Sequence, residues 1–122
     1  MGSPTLPGAS RRLDNRDGIN MVFVNENKER VEIIVKVSLQ YNGCTYRVED
    51  IYITPYRKRK PISIAAQVRD RYEYRCLDRE KRGDYVRQEY LKYCTEEQVW
   101  EAVQEAYREL TPKKEDVVFQ AV

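Results

Sequence analysis

The sequence predicts an α+β fold: a three-stranded antiparallel meander followed by three helices, with a C-terminal segment that either adds a short strand or packs as a tail. Three observations carry this. "VEIIVKVSLQY" (31–41) alternates apolar and polar residues at period two. Asn42-Gly43 follows it directly, and after Pro61 the apolar period changes from two to that of a helix.

The elements follow in order. Residues 1–19, rich in Pro, Gly and Ser, read as a flexible arm ahead of a single domain over 20–122, and the Met1-Gly2-Ser3 opening reads as a cloning remnant. "NMVFVN" forms a first strand over 20–25, joined through the polar "ENKE" to a second over 31–41. That strand sets Val31, Ile33, Val35, Val37, Leu39 and Tyr41 on one face and Glu32, Lys36, Ser38 and Gln40 on the other, as a half-buried antiparallel strand does. Asn-Gly is the strongest short hairpin signal, because a type I′ turn needs positive φ at both central residues. Folding there pairs Tyr41 with Cys44, Leu39 with Tyr46 and Val37 with Val48, and sets Lys36 opposite Glu49. The third strand runs over 44–54. Its alternation breaks at Asp50, which would point inward while Ile51 and Ile53 carry the apolar phase, so a β-bulge is expected near Glu49-Asp50.

Ser63 is placed to cap a helix over 63–81 whose stripe is Ile64, Val68, Tyr72 and Cys76, with Gly83 as its terminator and Asp84 as the next cap. A second helix over 84–94 uses Val86, Tyr90, Leu91 and Cys94. Thr95 and Gln98 form a capping box for a third over 96–110, with Val99, Trp100, Val103, Ala106 and Leu110 inward and Thr111-Pro112 as its stop. "EDVVFQAV" adds a fourth strand or packs as an extended tail.

Composition narrows the chemistry. The 122 residues include no histidine, which removes the commonest general base and metal ligand and every Ser-His or Cys-His pair. No P-loop, GxGxxG or GxSxG is present. Cys44, Cys76 and Cys94 are too widely spaced for a metal site or disulfide framework and read as structural thiols. No catalytic residue, cofactor or metal ligand is therefore expected. No apolar run approaches the roughly 20 residues of a membrane span, and no secretory leader is visible, so a cytoplasmic, reducing location is expected.

Charge is uneven behind a net +2. Residues 56–83 hold ten Lys or Arg against four acids, and residues 84–122 hold five against nine. Between Pro55 and Pro61 stand Tyr56 and four consecutive cations, Arg57, Lys58, Arg59 and Lys60, expected to be exposed. With Arg69, Arg71 and Arg75 they form the expected partner-binding surface. Tyr52, Tyr72 and Tyr74 lie in or beside this stretch, and Tyr with Arg suits both protein interfaces and unpaired bases. The leading expectation is a non-enzymatic protein-binding module, an inhibitor, adaptor or accessory subunit of the size and character common in phages and mobile elements. Its partner would carry an acidic surface. The alternative is a nucleic-acid-binding accessory protein using the basic 56–82 segment. Basic and acidic segments on one chain also permit self-association, and no membrane contact is expected.

Overall fold

A computed structural model describes residues 20–122; the arm expected over 1–19 lies outside the described residues. Strands β1 (Asn20–Val24), β2 (Arg30–Gln40) and β3 (Gly43–Thr54) form an antiparallel meander, and a short β4 (Ile62–Ser63) pairs with the end of β3. Helices α1 (Ile64–Arg69), α2 (Tyr72–Arg75), α3 (Arg79–Tyr90) and α4 (Glu96–Ala106) follow, then two 3-10 turns and β5 (Val117–Phe119). β5 pairs in parallel with β3 beside Tyr46–Val48, so the sheet is mixed. The fold is thus α+β, with the meander first, the helices next and the expected C-terminal strand in place.

The alternation in β2 and β3 makes the core. Val31, Ile33 and Val35 are fully buried against Val48, Ile51 and Ile53, and onto this face pack Ile64, Val68, Tyr74, Val86, Tyr90, Val99 and Val103 from the helices. Among the described residues no helix is long and apolar enough to cross a membrane.

The bulge lies where the broken alternation puts it. Val35 faces Val48 while Ile34 faces Asp50, leaving Glu49 as the extra residue. Two side chains hold it. The buried Tyr90 hydroxyl donates to the Glu49 carbonyl (3.2 Å), and the Asp50 carboxylate accepts from Ile51 N (2.7 Å), Ser63 Oγ (2.5 Å) and Ala65 N (2.9 Å). Ser63 in turn caps α1 by accepting from Ala66 N (3.1 Å). The bulge and the start of α1 are therefore one hydrogen-bonded unit.

The hairpin register differs from the sequence expectation. The two-residue loop is Tyr41-Asn42, and Gly43, at φ 149°, opens β3; Leu39 faces Cys44, Val37 faces Tyr46 and Val35 faces Val48. This is a slip of two residues, which keeps every side chain on its face and so is invisible to an alternation of period two. Lys36 consequently lies opposite Arg47 rather than Glu49, and the bulged Glu49 carboxylate reaches both, at 3.6 and 3.4 Å. Leu39 (76% exposed) and Tyr41 project beyond the core.

The helical region also departs from expectation. The helix expected over 63–81 breaks after Arg69, where Asp70 N–H donates to the Ala66 carbonyl (3.3 Å) and Arg71 N–H to the Val68 carbonyl (3.0 Å), and resumes as the single-turn α2. The break rotates the expected stripe: Tyr74 is buried, while Tyr72 and Cys76 are exposed. Gly83 does not end a helix and Asp84 does not cap one. Both lie inside α3, where a Cβ on Gly83 would meet the Phe119 carbonyl at ordinary contact distance, 3.4 Å. The Thr95 capping box is present, with both of its hydrogen bonds. α4 buries Val99, Ala102 and Val103 but stops at Ala106, so Leu110 is exposed, and Trp100 is only half-buried. Cys94 is buried as expected; Cys44 is only partly covered.

Candidate functional site: a basic corner around Tyr56

In a meander the first and third connections share one end of the sheet. Here these are the β1–β2 turn (25–29) and the β3–β4 connection (55–61), and the row Val24, Arg30, Thr54 runs across the strands between them. Together they bound an open groove of about 390 Å³ lined by Val24, Lys28, Arg30 and Thr54 through Arg59.

Each connection is built by its own hydrogen bonds. Asn25 organises the first: its carbonyl accepts from Lys28 N, its Oδ1 accepts from Asn27 N and Glu29 N, and its Nδ2 donates to the Tyr93 carbonyl (3.2 Å). That last bond ties the turn to the junction of α3 and α4. In the second, Lys58 N donates to the Pro55 carbonyl (2.9 Å), closing a β-turn with Arg57 at its third position. Arg57 has φ 66° and Lys28 has φ 62°. This is left-handed backbone, which glycine usually supplies: Arg57 takes it at the third position of its turn, as a type II turn requires, and Lys28 takes it at the residue that closes the turn begun at Asn25. An L-residue there costs about 1–2 kcal/mol.

These turns set Lys28 Nζ 5.2 Å and the Arg57 guanidinium 5.3 Å from the centroid of the Tyr56 ring, which is 52% exposed. Arg30, Lys58 and Arg59 complete the lining, and no carboxylate is part of it. The adjacent Glu29 carboxylate is engaged by Asn25 Nδ2 (2.9 Å). The corner therefore concentrates positive charge around one aromatic ring, with Val24 as a neighbouring apolar contact.

Of the residues singled out in the sequence, Tyr56, Arg57, Lys58 and Arg59 come together here. Lys60 is exposed but outside the groove lining. Arg69, Arg71 and Arg75 do not line it either. Arg69 and Arg75 are exposed at the ends of α1 and α2. Arg71 Nη1 instead binds the buried Glu89 carboxylate (2.8 Å) and the Tyr85 hydroxyl (3.2 Å), and Lys92 Nζ reaches the other Glu89 oxygen (2.9 Å). Burial alone would raise the Glu89 pKa, but hydrogen bonds from Lys92 and Arg71 outweigh it and hold the carboxyl below its ordinary range. Lys28, Arg30 and Val24 belong to the corner and were missed in the sequence. They lie in and beside a connector that reads only as polar, and the shared end of the first and third connections was the available signal.

A second groove, of about 400 Å³, lies between α3, α4 and β5, with Val99, Trp100, Val118 and Phe119 in its lining. Its lining charges balance, Arg87 and Lys114 against Asp84 and Glu96, so it presents no comparable excess of one sign. Comparison with known protein families, curated proteins and solved structures gave no match.

Proposed function

We propose that the protein is a non-enzymatic binding module that occupies an acidic surface of a protein partner through the Tyr56 corner. The observation that carries this reading is the lining of the groove: five cations, an exposed tyrosine and no carboxylate. Exposed Tyr and Arg are the side chains that most often anchor protein interfaces. The low net charge of +2 also favours a local, shaped contact over the broad positive field of a strong nucleic-acid binder. The absence of histidine, and a Cys94 thiol that burial pushes up to about 12, support a role without covalent or acid–base chemistry.

Nucleic acid is the alternative occupant, because cations beside an exposed ring also suit a single strand. The Tyr56 ring, however, already carries two cations over it. The test compares the parent with a variant in which Arg57, Lys58, Arg59 and Lys60 are all Ser. Each is titrated with a short peptide rich in Asp and Glu and with a single-stranded oligonucleotide, at about 50 and about 200 mM salt. Each substitution should change stability by less than about 0.5 kcal/mol, as expected for exposed sites, and the variant should remain folded. Peptide binding by the parent and its loss in the variant support the reading. Tighter oligonucleotide binding with a steep salt dependence transfers the site to nucleic acid. Equal peptide affinity in both proteins removes the corner from the function.

A further inference from the structure

Among the described residues, three non-glycine residues have left-handed backbone: Lys28, Arg57 and Thr111. Two of these three are the cations over the Tyr56 ring. Glycine takes this conformation freely, and Asn or Asp adopts it far more readily than other side chains. Neither turn needs a cation for its closure, since the bonds Lys28 N to Asn25 O and Lys58 N to Pro55 O are made by backbone alone. Both turns therefore hold a strained residue where a glycine would close the same loop, and in both the side chain gained is a cation aimed at one ring. Strain of this kind persists where a site uses it.

We propose that Lys28 and Arg57 are the specificity-determining pair of this surface, forming with Tyr56 a cleft that receives a carboxylate side chain from an acidic segment of the partner protein. The inference rests on the reading of the corner as a protein-docking surface and names the residues that select the partner. Arg57 supplies a planar fork that matches a carboxylate at two points, and Lys28 supplies a compact charge beside it. Val24, in the same lining, offers an apolar seat for the residue flanking the acid. The left-handed backbone sets the direction in which the Cα–Cβ bond of each residue leaves its turn.

The experiment uses Lys28→Gly, Arg57→Gly and, as a lining cation without left-handed backbone, Arg59→Gly. Each is measured for Tm and for affinity to the Asp- and Glu-rich peptide. Lys28→Gly and Arg57→Gly should each raise Tm by about 2–4 °C through relief of the backbone. Each should also weaken the peptide about fivefold. Arg59→Gly should weaken binding without raising Tm. A purely structural role for Lys28 and Arg57 would not move stability and affinity in opposite directions. An unchanged or lowered Tm in both glycine variants overturns the inference, as does a raised Tm with unchanged affinity. If those two variants bind like the parent while Arg59→Gly binds weakly, the corner remains the docking surface and only the pair is refuted. If the parent itself does not bind the peptide, the docking reading fails and the inference falls with it.

Discussion

Replacing Asp50 tests the link between the β-bulge and the first helix. Its carboxylate accepts three hydrogen bonds, of which those from Ser63 Oγ (2.5 Å) and Ala65 N (2.9 Å) join distant parts of the chain; that from Ile51 N is local. A hydrogen bond to a charged group contributes about 1.5–3 kcal/mol. Asp50 is only half-buried, so the lower figure applies, and water replaces the local bond at little cost. Asp50→Ala should therefore destabilise by about 3 kcal/mol, or about 12 °C in Tm at this size. Asp50→Asn retains an acceptor for Ile51 and Ala65 and an amide that can donate to Ser63 Oγ, so it loses charge but not geometry and should cost about 1 kcal/mol. Urea unfolding followed by circular dichroism gives both values, with an unchanged slope expected. Pairing either change with Ser63→Ala should show coupling of about 1 kcal/mol. The reasoning is refuted if Asp50→Ala lies within about 0.5 kcal/mol of the parent. It is equally refuted if Asn costs as much as Ala, for then the geometry of the acceptors is not what matters.

Two further outcomes are expected. The Glu89 carboxyl is held below its ordinary value of 4.5, so the stability it contributes is present above that pH and is lost as pH falls through the lower folded value. Glu89→Gln should flatten the acid limb of a Tm-against-pH curve and leave Arg71 without its buried partner, at a cost of about 2 kcal/mol near neutrality, less than for a fully buried pair because Lys92 and Arg71 reach water. An acid limb unchanged in the variant would count against this account of Glu89. Among the thiols, exposed Cys76 should react with a disulfide reagent at once, whereas buried Cys94, pushed up to about 12, should react only on unfolding. Equal rates for the two would show that Cys94 is not shielded in the folded protein.

What could be read in advance was periodicity and capping. The alternation of 31–41 located the core face of β2, the failure at Asp50 located the bulge, and Thr95 with Gln98 located the start of α4. The hairpin register was not legible, because a two-residue slip preserves the alternation, and the buried pairs Val31–Ile53, Ile33–Ile51 and Val35–Val48 decide it. The division of 63–81 was missed because Tyr72 and Cys76 continue the spacing of Ile64 and Val68, while the chain turns at Asp70 to bury Tyr74 instead. Gly83 misled for a related reason: its neighbour is the Phe119 backbone, some distance along the chain, and a local reading sees only a potential stop. Of the site, the contiguous run from Tyr56 to Arg59 was legible. Lys28 and Arg30 were not, since their proximity to it exists only after the meander forms.

The parallel strand β5 gives this sheet a temporal asymmetry. Arg47 meets Gln120 across 73 residues of chain, and Tyr74 meets both backbone groups of Val122. The meander closes through near neighbours, but the flank of β3 beside Tyr46–Val48 stays open until the later segment arrives. During that interval β3 offers unpaired backbone to any extended strand, including the same strand of another nascent chain. Charged Arg47 and the kinked backbone at Glu49 are the features on that strand that discourage such pairing. Folding yield, more than the stability of the finished protein, is where the loss of residues 117–122 would be felt first.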